Sequence, residues 1–170
     1  MNKNQNRSLL LCITGLFAAM ITLMTGFILH IPYGANGGYI HFGDALIYIA
    51  ASILPRPYAI AAAVIGGGLA DLMTAPIWAP ATIIIKLLVV LPFTRSGKKI
   101  LSKRNLFAPI VCIPITIIGY YIAEVMIFGS IAAPVASIPG NLIQSIGSMI
   151  IYYIIGNALQ KNNTFSNFKF

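Results

Sequence analysis

The chain alternates long apolar runs with short connections, and this alternation constrains its fold more than any other feature. Hydrophobic residues occupy 58% of the 170 positions, and only 8% of the positions are charged. A soluble domain needs a much larger share of charged side chains to cover its surface. A bilayer span needs about 20 apolar residues, so this length allows about six spans joined by short loops. We therefore predict an all-α integral membrane protein with a single domain.

The apolar runs predict six transmembrane helices and a polar tail. The Gly-rich segment 31–43 is rich in residues typical of turns, so we expect an outer loop or lid there. The helices on either side of the second connection are short for spans, which is tolerated where they border a water-filled cavity. The predicted helices lie at approximately 9–29, 39–54, 58–70, 81–93, 107–128 and 138–155, and the polar tail at 161–170.

The basic residues have a one-sided distribution along the chain. Ten of the eleven Lys and Arg residues fall in the N-terminal segment, the second and fourth connections, and the C-terminal segment. These segments share one side of the membrane if six helices alternate in direction, and the positive-inside rule makes that side cytoplasmic. We therefore expect cytoplasmic N and C termini. The basic residues form no stripe with interleaved aromatics, which argues against nucleic-acid binding despite the net charge of +8.

Little in the sequence indicates catalysis, a metal or a cofactor. Cys12 and Cys112 show no CxxC spacing and have no neighbouring histidines, so neither a disulfide framework nor a metal site is indicated. Asp44 lies in the context HFGD, which lacks the leading glycine expected of intramembrane aspartyl proteases. The chain contains no GxxxxGK[ST] phosphate loop. We predict that the chain is not an enzyme and that it uses no cofactor.

Several polar residues, which are costly inside a bilayer, are predicted to lie at the same depth. At about 1.5 Å per residue, Lys86 and Glu124 both lie about 9 Å below the outer ends of their predicted helices. Further polar side chains share their helix faces at spacings of three or four residues. We predict an outward-facing site for a small polar ring compound. Its residues are Asp44, Asp71, Trp78, Thr82, Lys86, Tyr120, Glu124, Asn141 and Gln144.

Several of these side chains admit two roles. Lys86 either binds ligand or forms a structural ion pair with Glu124 or an aspartate. Trp78 either stacks on a ligand ring or anchors the chain at the membrane interface. As a ligand-binding residue, Lys86 would favour a carboxylate or phosphate, whereas Glu124 with Asn141 and Gln144 would suit the amino and ring nitrogens of a pyrimidine or pyridine.

Two segments carry a resemblance to a known family. HFGDALIYIAASILPRPYA and GGGLADLMTAPIWAPATIIIK resemble the substrate-binding S components of energy-coupling factor transporters, and the similarity covers 9–155. The chain looks most like the branch with riboflavin, hydroxymethylpyrimidine and pyridoxine S components. The resemblance implies a multi-pass vitamin receptor in the plasma membrane of a prokaryote, which works with a membrane coupling subunit and two ATPase subunits. It also adds His41 to the site and favours a hydroxymethylpyrimidine- or pyridoxine-like ligand.

The first helix carries small residues at spacings that let another helix approach closely in lipid. In the family that the chain resembles, such residues face the coupling subunit. This implies a docking role for Gly15, Ala18, Ala19 and Thr22.

Two other functions remain open on the sequence alone. One is an autonomous secondary transporter of a small polar metabolite, coupled through Glu124 or Lys86. The other is a structural membrane protein whose buried charges fix the register of its helices.

Overall fold

Helices dominate the structure, a computed structural model that describes residues 3–28, 30–33, 38–96 and 99–162. Within these ranges a two-stranded antiparallel hairpin follows the first helix. The helices are α1 (Lys3–Leu23), α2 (Asp44–Ile53), α3 (Arg56–Thr74), α4 (Ala79–Val90), α5 (Lys103–Phe128) and α6 (Ile138–Lys161), and the strands are β1 (Ile31–Tyr33) and β2 (Gly38–Ile40). A π-helical turn (Met24–Ile28) extends α1, and 3₁₀ turns (Pro76–Trp78 and Ala133–Ser137) precede α4 and α6.

Four helical segments in the described part of the chain are long and apolar enough to cross a bilayer. The apolar segments Asp44–Ile53 and Pro76–Val90 are shorter. With ten residues, α2 is only about 15 Å long, which is half of the roughly 30 Å hydrocarbon layer. The chain is an all-α integral membrane protein. The four long segments are Gln5–Ile28, Arg56–Thr74, Lys103–Phe128 and Ala133–Lys161.

The short helix α2 lies at the centre of the bundle. Nine of its ten residues are buried, and it packs against α1, α3, α4 and α6. The Tyr48 ring stacks on Phe93, with 5.1 Å between centroids, and meets Tyr152 edge-on at 5.8 Å. The Ser52 and Tyr152 hydroxyls are hydrogen-bonded at 2.9 Å. Protein rather than lipid therefore covers α2, so this helix can carry polar side chains at membrane depth.

Helices α1 and α3 lie parallel and in close contact because Gly66 has no side chain. A Cβ on Gly66 would lie 2.7 Å from Ile21 Cβ and 2.8 Å from the Ala18 carbonyl oxygen. The Thr22 hydroxyl also donates to the Gly66 carbonyl at 3.0 Å. Such close packing of small residues stabilises helix pairs in lipid, where the hydrophobic effect between helices is absent.

Basic residues gather at one end of the bundle. Arg56 at the start of α3 and Arg95 after α4 line one cavity of about 210 Å³. The Leu101 backbone N–H, in the connection before α5, donates to the Gln160 side chain near the end of α6 at 3.1 Å. Because α1 runs parallel to α3, its N-terminal end also lies here. The prediction that both termini are cytoplasmic depends on these basic segments lying at the same end of the bundle.

Helix boundaries differ from the expected ones most clearly before α2. The sequence places the second helix at 39–54, but α2 begins at Asp44 because Tyr39 and Ile40 pair with β1. The loop or lid expected at 31–43 thus contains a hairpin, whose connecting residues 34–37 lie outside the described residues.

The other helices differ at their ends. Helix α5 begins at Lys103 rather than near 107, because the Ser102 side chain caps it by accepting from the Asn105 N–H. Helix α4 ends at Val90 rather than near 93. Helices α3 and α6 continue beyond the expected 70 and 155, and most of the predicted tail at 161–170 lies outside the described residues.

Candidate functional site

A cleft opens at the end of the bundle opposite the basic residues. It lies between the hairpin and the neighbouring ends of α3, α5 and α6. Its cavity measures about 50 Å³, whereas ligand pockets usually measure about 300 to 1,000 Å³. The cleft is therefore too small, as it stands, for a ligand of ordinary size. Its lining consists of Tyr33, Gly38, Tyr39, Ile40, His41, Asp71, Trp78, Tyr120, Glu124, Ser137, Gly140, Asn141 and Gln144.

The hairpin forms the roof of this cleft and is fixed to the helices at two points. The Tyr39 hydroxyl donates to the Asp71 carboxylate on α3. The His41 backbone N–H donates to Gln144 Oε1 on α6 at 3.3 Å. On its other side, the Tyr39 ring stacks on His30 with 3.9 Å between centroids. A few polar contacts thus hold the roof in place.

Beneath the cleft, three buried side chains form a polar chain. Lys86 Nζ donates to Asp44 Oδ1 at 2.6 Å, and both side chains are completely buried. Gln144 Nε2 donates to the other carboxylate oxygen, Asp44 Oδ2, at 3.2 Å. Gln144 therefore contacts both the roof and the buried ion pair.

One wall of the cleft is aromatic. The Trp78 ring packs edge-on against Tyr120, with centroids 6.2 Å apart, and lies 6.0 Å from the Phe128 ring. The Tyr120 and Thr82 hydroxyls are hydrogen-bonded at 2.9 Å. Trp78 is only 5% exposed, and its indole N–H has no acceptor among the described residues. This wall offers flat apolar faces and one unused donor.

Another part of this wall, continuing along α5, is polar. Glu124 lies near the end of α5, which stops at Gly129 in the left-handed conformation with φ 66°. Glu124 is buried, and its Oε1 accepts a hydrogen bond from the Ser137 hydroxyl at 2.7 Å. Asn141, in the first turn of α6, is half-buried and also belongs to the lining. This wall offers a carboxylate and an amide to a ligand.

Two titratable groups of the roof have fixed protonation states near neutral pH. Burial, together with the positive charge of Lys86, lowers the pKa of His41 to about 3. His41 Nδ1 accepts a hydrogen bond from the Gly43 backbone N–H at 3.1 Å, which leaves the ring proton on Nε2. Burial and the nearby Asp71 carboxylate raise the pKa of the Tyr39 phenol. His41 is therefore neutral, and Tyr39 keeps the proton that it donates to Asp71.

Comparison with known proteins identifies the family. Residues 6–161 match the family described as ECF-type riboflavin transporter, S component. The chain belongs to this family. It is also similar to an uncharacterized protein of Pyrococcus woesei, at 27% identity over 140 residues, which is 81% of this chain and 93% of that protein. The molecule is thus a membrane-embedded S component, in a family of substrate-binding transport subunits.

The cleft of this S component brings together most of the site residues predicted from the sequence. Asp44, Thr82 and Lys86 do not line it, because α2 and α4 turn these side chains into the core beneath the cleft. Of the two roles considered for Lys86, the structure shows the ion pair, with Asp44 as its partner. The predicted residues that line the cleft are His41, Asp71, Trp78, Tyr120, Glu124, Asn141 and Gln144.

Sequence reasoning missed three polar side chains of the lining. Tyr33 and Tyr39 belong to strands of three residues each, and Tyr39 was assigned to a helix. The alternation of side chains across Tyr39, Ile40 and His41 was the available signal, but it is too short to be distinctive. Ser137 directly precedes α6, where a hydroxyl residue would ordinarily be taken as a helix cap.

The four docking residues predicted for this S component lie on two different faces of α1. Gly15 and Ala19 are exposed, and a Cβ on Gly15 would meet nothing within 4 Å. Ala18 is buried, and Thr22 is hydrogen-bonded to α3. Ala18 and Thr22 therefore contribute to internal packing, and only Gly15 and Ala19 lie on an open face.

Proposed function

We propose that this S component is the substrate-binding subunit of an ATP-driven uptake system for a vitamin or vitamin precursor, and that it captures its ligand from outside the cell. The observation that supports this proposal is the cleft, which combines an aromatic wall with a carboxylate and amides. The Trp78 and Tyr120 rings suit a flat ring, while Glu124 and Asn141 suit its nitrogen atoms.

The small cavity favours a ligand with one aromatic ring. A cleft of about 50 Å³ must widen to admit any ring compound. The widening needed is smallest for a single-ring pyrimidine or pyridine. The three fused rings of riboflavin, the ligand named in the family description, require a larger displacement of the hairpin. We therefore propose a hydroxymethylpyrimidine- or pyridoxine-like ligand, with riboflavin as the comparison compound.

Ligand entry requires the roof to move. Tyr39 and His41 fix the hairpin through single hydrogen bonds to Asp71 and Gln144. Each such bond contributes about 0.5 to 3 kcal/mol, so thermal opening is accessible. Closure over the ligand then removes it from water and strengthens its polar contacts.

The proposed partners are a membrane coupling subunit and two ATPase subunits on the cytoplasmic side. Gly15 and Ala19 lie on an exposed face of α1, flanked by the exposed side chains of Leu16 and Met20. A face of this kind permits close approach of another helix. With cytoplasmic termini, as the basic end of the bundle suggests, the cleft opens to the outside.

The proposal is tested by isolating the full chain in mild detergent after growth in rich medium and identifying any released small molecule by mass spectrometry. A stoichiometric vitamin or precursor is expected. Thermal-shift measurements with a vitamin panel follow if the protein is empty, and no response to any compound would contradict the proposal.

Transport assays in liposomes distinguish a substrate-binding subunit from an autonomous secondary transporter. The chain alone is expected to bind ligand without accumulating it, even under an ion gradient. Gradient-driven uptake by the chain alone would instead establish a secondary transporter.

A further inference from the structure

An apolar groove lies between α4 and α5 on the outside of the bundle, away from the cleft. Its cavity measures about 510 Å³, against about 50 Å³ for the cleft. Seven of its eight lining residues are apolar, and the eighth is an arginine. The residues that α5 contributes recur at spacings of three and four, so they form one stripe along the helix. These residues are Arg104, Phe107, Ala108, Val111 and Ile115.

The groove has the length of one leaflet of a bilayer. From Arg104 to Ile115 it extends about 16 Å along α5, at about 1.5 Å per residue. Half of the hydrocarbon layer is about 15 Å thick. Arg104 lies at the basic end of the bundle, next to the first residue of α5, whereas Ile115 lies near the middle of that helix. The groove therefore has its charged end at the membrane surface and its apolar end at the centre of the bilayer.

The Arg104 side chain is fixed at the mouth of the groove by the end of α4. Its Nε donates to the Pro92 carbonyl at 2.7 Å, and its Nη2 donates to the Leu91 carbonyl at 3.2 Å. A guanidinium group has five N–H donors. The other three have no acceptor among the described residues, and the side chain is exposed. Arg104 is thus oriented by the protein and keeps donors for an anion from outside.

No acidic side chain of the protein is placed to neutralise Arg104. The sequence has only three, and Asp44, Asp71 and Glu124 all lie at or just beneath the cleft, at the other end of the bundle. The neighbouring Lys103 is exposed and adds a second positive charge. Basic pockets between transmembrane helices bind anionic lipid headgroups. The charge therefore favours an anionic partner beside the apolar stripe.

We propose that an anionic phospholipid binds this groove, with one acyl chain along the apolar stripe of α5 and its phosphate on Arg104. The length of the groove favours a lipid over a helix of another protein. A transmembrane helix extends through the whole layer of about 30 Å, about twice the length of the groove. This lipid site is separate from the cleft and does not depend on the ligand that the cleft binds.

The test is native mass spectrometry of the full chain released from nanodiscs that contain equal amounts of dioleoylphosphatidylglycerol and dioleoylphosphatidylcholine. The two lipids have the same acyl chains and differ in headgroup charge. We expect the protein to retain phosphatidylglycerol about fivefold or more over phosphatidylcholine, since one basic residue near the membrane surface contributes about that factor. Equal retention of the two lipids, or retention of neither, would overturn the inference.

A pair of charge variants locates the preference at the groove. Arg104→Gln should abolish the preference for phosphatidylglycerol, because it removes the charge that the headgroup contacts. Lys161→Gln makes the same change in net charge at the same end of the bundle but outside the groove, and it should keep the preference. An equal effect of the two variants would assign the preference to the overall charge of this end and contradict a specific site.

A second pair of variants tests the apolar stripe and serves if Arg104→Gln does not fold. Val111→Trp fills the groove at a side chain that is 49% exposed, so it should reduce retention of both lipids. Ile110→Trp makes a similar change at the next residue, which is 50% exposed but outside the lining, and should leave retention unchanged. A lipid-free dimer that Val111→Trp dissociates would assign the groove to a second copy of the chain and overturn the inference.

Discussion

Lys86 Nζ and Asp44 Oδ1 lie 2.6 Å apart with both side chains completely buried, so α4 and α2 are joined by an ion pair inside the bundle. Gln144 adds α6 to this contact by donating to Asp44 Oδ2 at 3.2 Å. The pair thus connects three helices directly beneath the cleft. Removing one charge leaves the other buried and unpaired, which costs far more than removing both.

Lys86→Met should lower the free energy of unfolding by about 3 to 5 kcal/mol, because it leaves the Asp44 carboxylate buried without its partner. Denaturation in detergent measures the loss. The double variant Lys86→Met with Asp44→Asn removes both charges and should recover most of the stability. A single variant as stable as the wild type would show that the pair does not support the fold.

Tyr39→Phe should accelerate ligand release by about tenfold, because it removes the hydrogen bond that joins the hairpin to Asp71. The chain has one tryptophan, and Trp78 lies in the cleft, so its fluorescence in stopped-flow experiments reports dissociation directly. Tyr33→Phe is the matched control, since the Tyr33 ring lines the cleft and no hydrogen bond of its hydroxyl is present among the described residues. Equal release rates in both variants would argue against Tyr39 as a latch.

Gly66→Ala should destabilise the protein by about 1 to 3 kcal/mol, because its Cβ would lie 2.8 Å from the Ala18 backbone oxygen and force α1 away from α3. Gly15→Ala is the matched change on α1, where a Cβ meets nothing within 4 Å. The higher helix propensity of alanine should leave Gly15→Ala neutral or more stable by up to about 1 kcal/mol. Thermal unfolding measures the difference in stability between the two variants. Equal stability of both variants would show that α1 and α3 can separate without cost.

The stability of the protein should fall as the pH is lowered from 7 to 5, by about 2 kcal/mol from His41. The pKa of His41 is lowered to about 3 in the folded state, from 6.5 when unfolded, by burial and the charge of Lys86. The unfolded chain therefore binds the proton more readily, and the stability present above pH 6.5 is lost as the pH falls toward 3. Asp44 and His30 also act on His41, in opposite directions.

Unfolding measured across this pH range in the wild type and in His41→Gln separates the His41 contribution. The His41→Gln variant should lose most of the dependence of stability on pH, while His30→Gln should retain it. A slope that persists in His41→Gln would assign the pH dependence to other groups.

Hydropathy and charge predicted the membrane fold because both are local properties of the sequence. A run of apolar residues such as Phe107–Phe128 indicates a helix whatever its neighbours do. The depth of Glu124 followed from helix direction and the rise per residue, and this residue lines the cleft. The level of the cleft in the bundle was therefore predictable.

The pairing of Lys86 with Asp44 was not predictable in the same way. Depth alone allowed Lys86 to meet Glu124 or either aspartate, and the choice depends on which way α2 and α4 face each other. Tyr39 was missed because strands of three residues leave almost no periodic signal, and their pairing becomes clear only in three dimensions. The direction of a side chain, rather than its depth, decides whether it lines the cleft or lies buried beneath it.

The aromatic core around α2 also constrains how cargo can reach the cytoplasm. Tyr48, Phe93 and Tyr152 are at most 2% exposed and pack together between the cleft and the basic end of the bundle. A ring compound in the cleft thus has a plug beneath it rather than a passage. Under the proposed function, the ligand therefore cannot pass straight through this core, and its release on the basic side requires the packed helices to move.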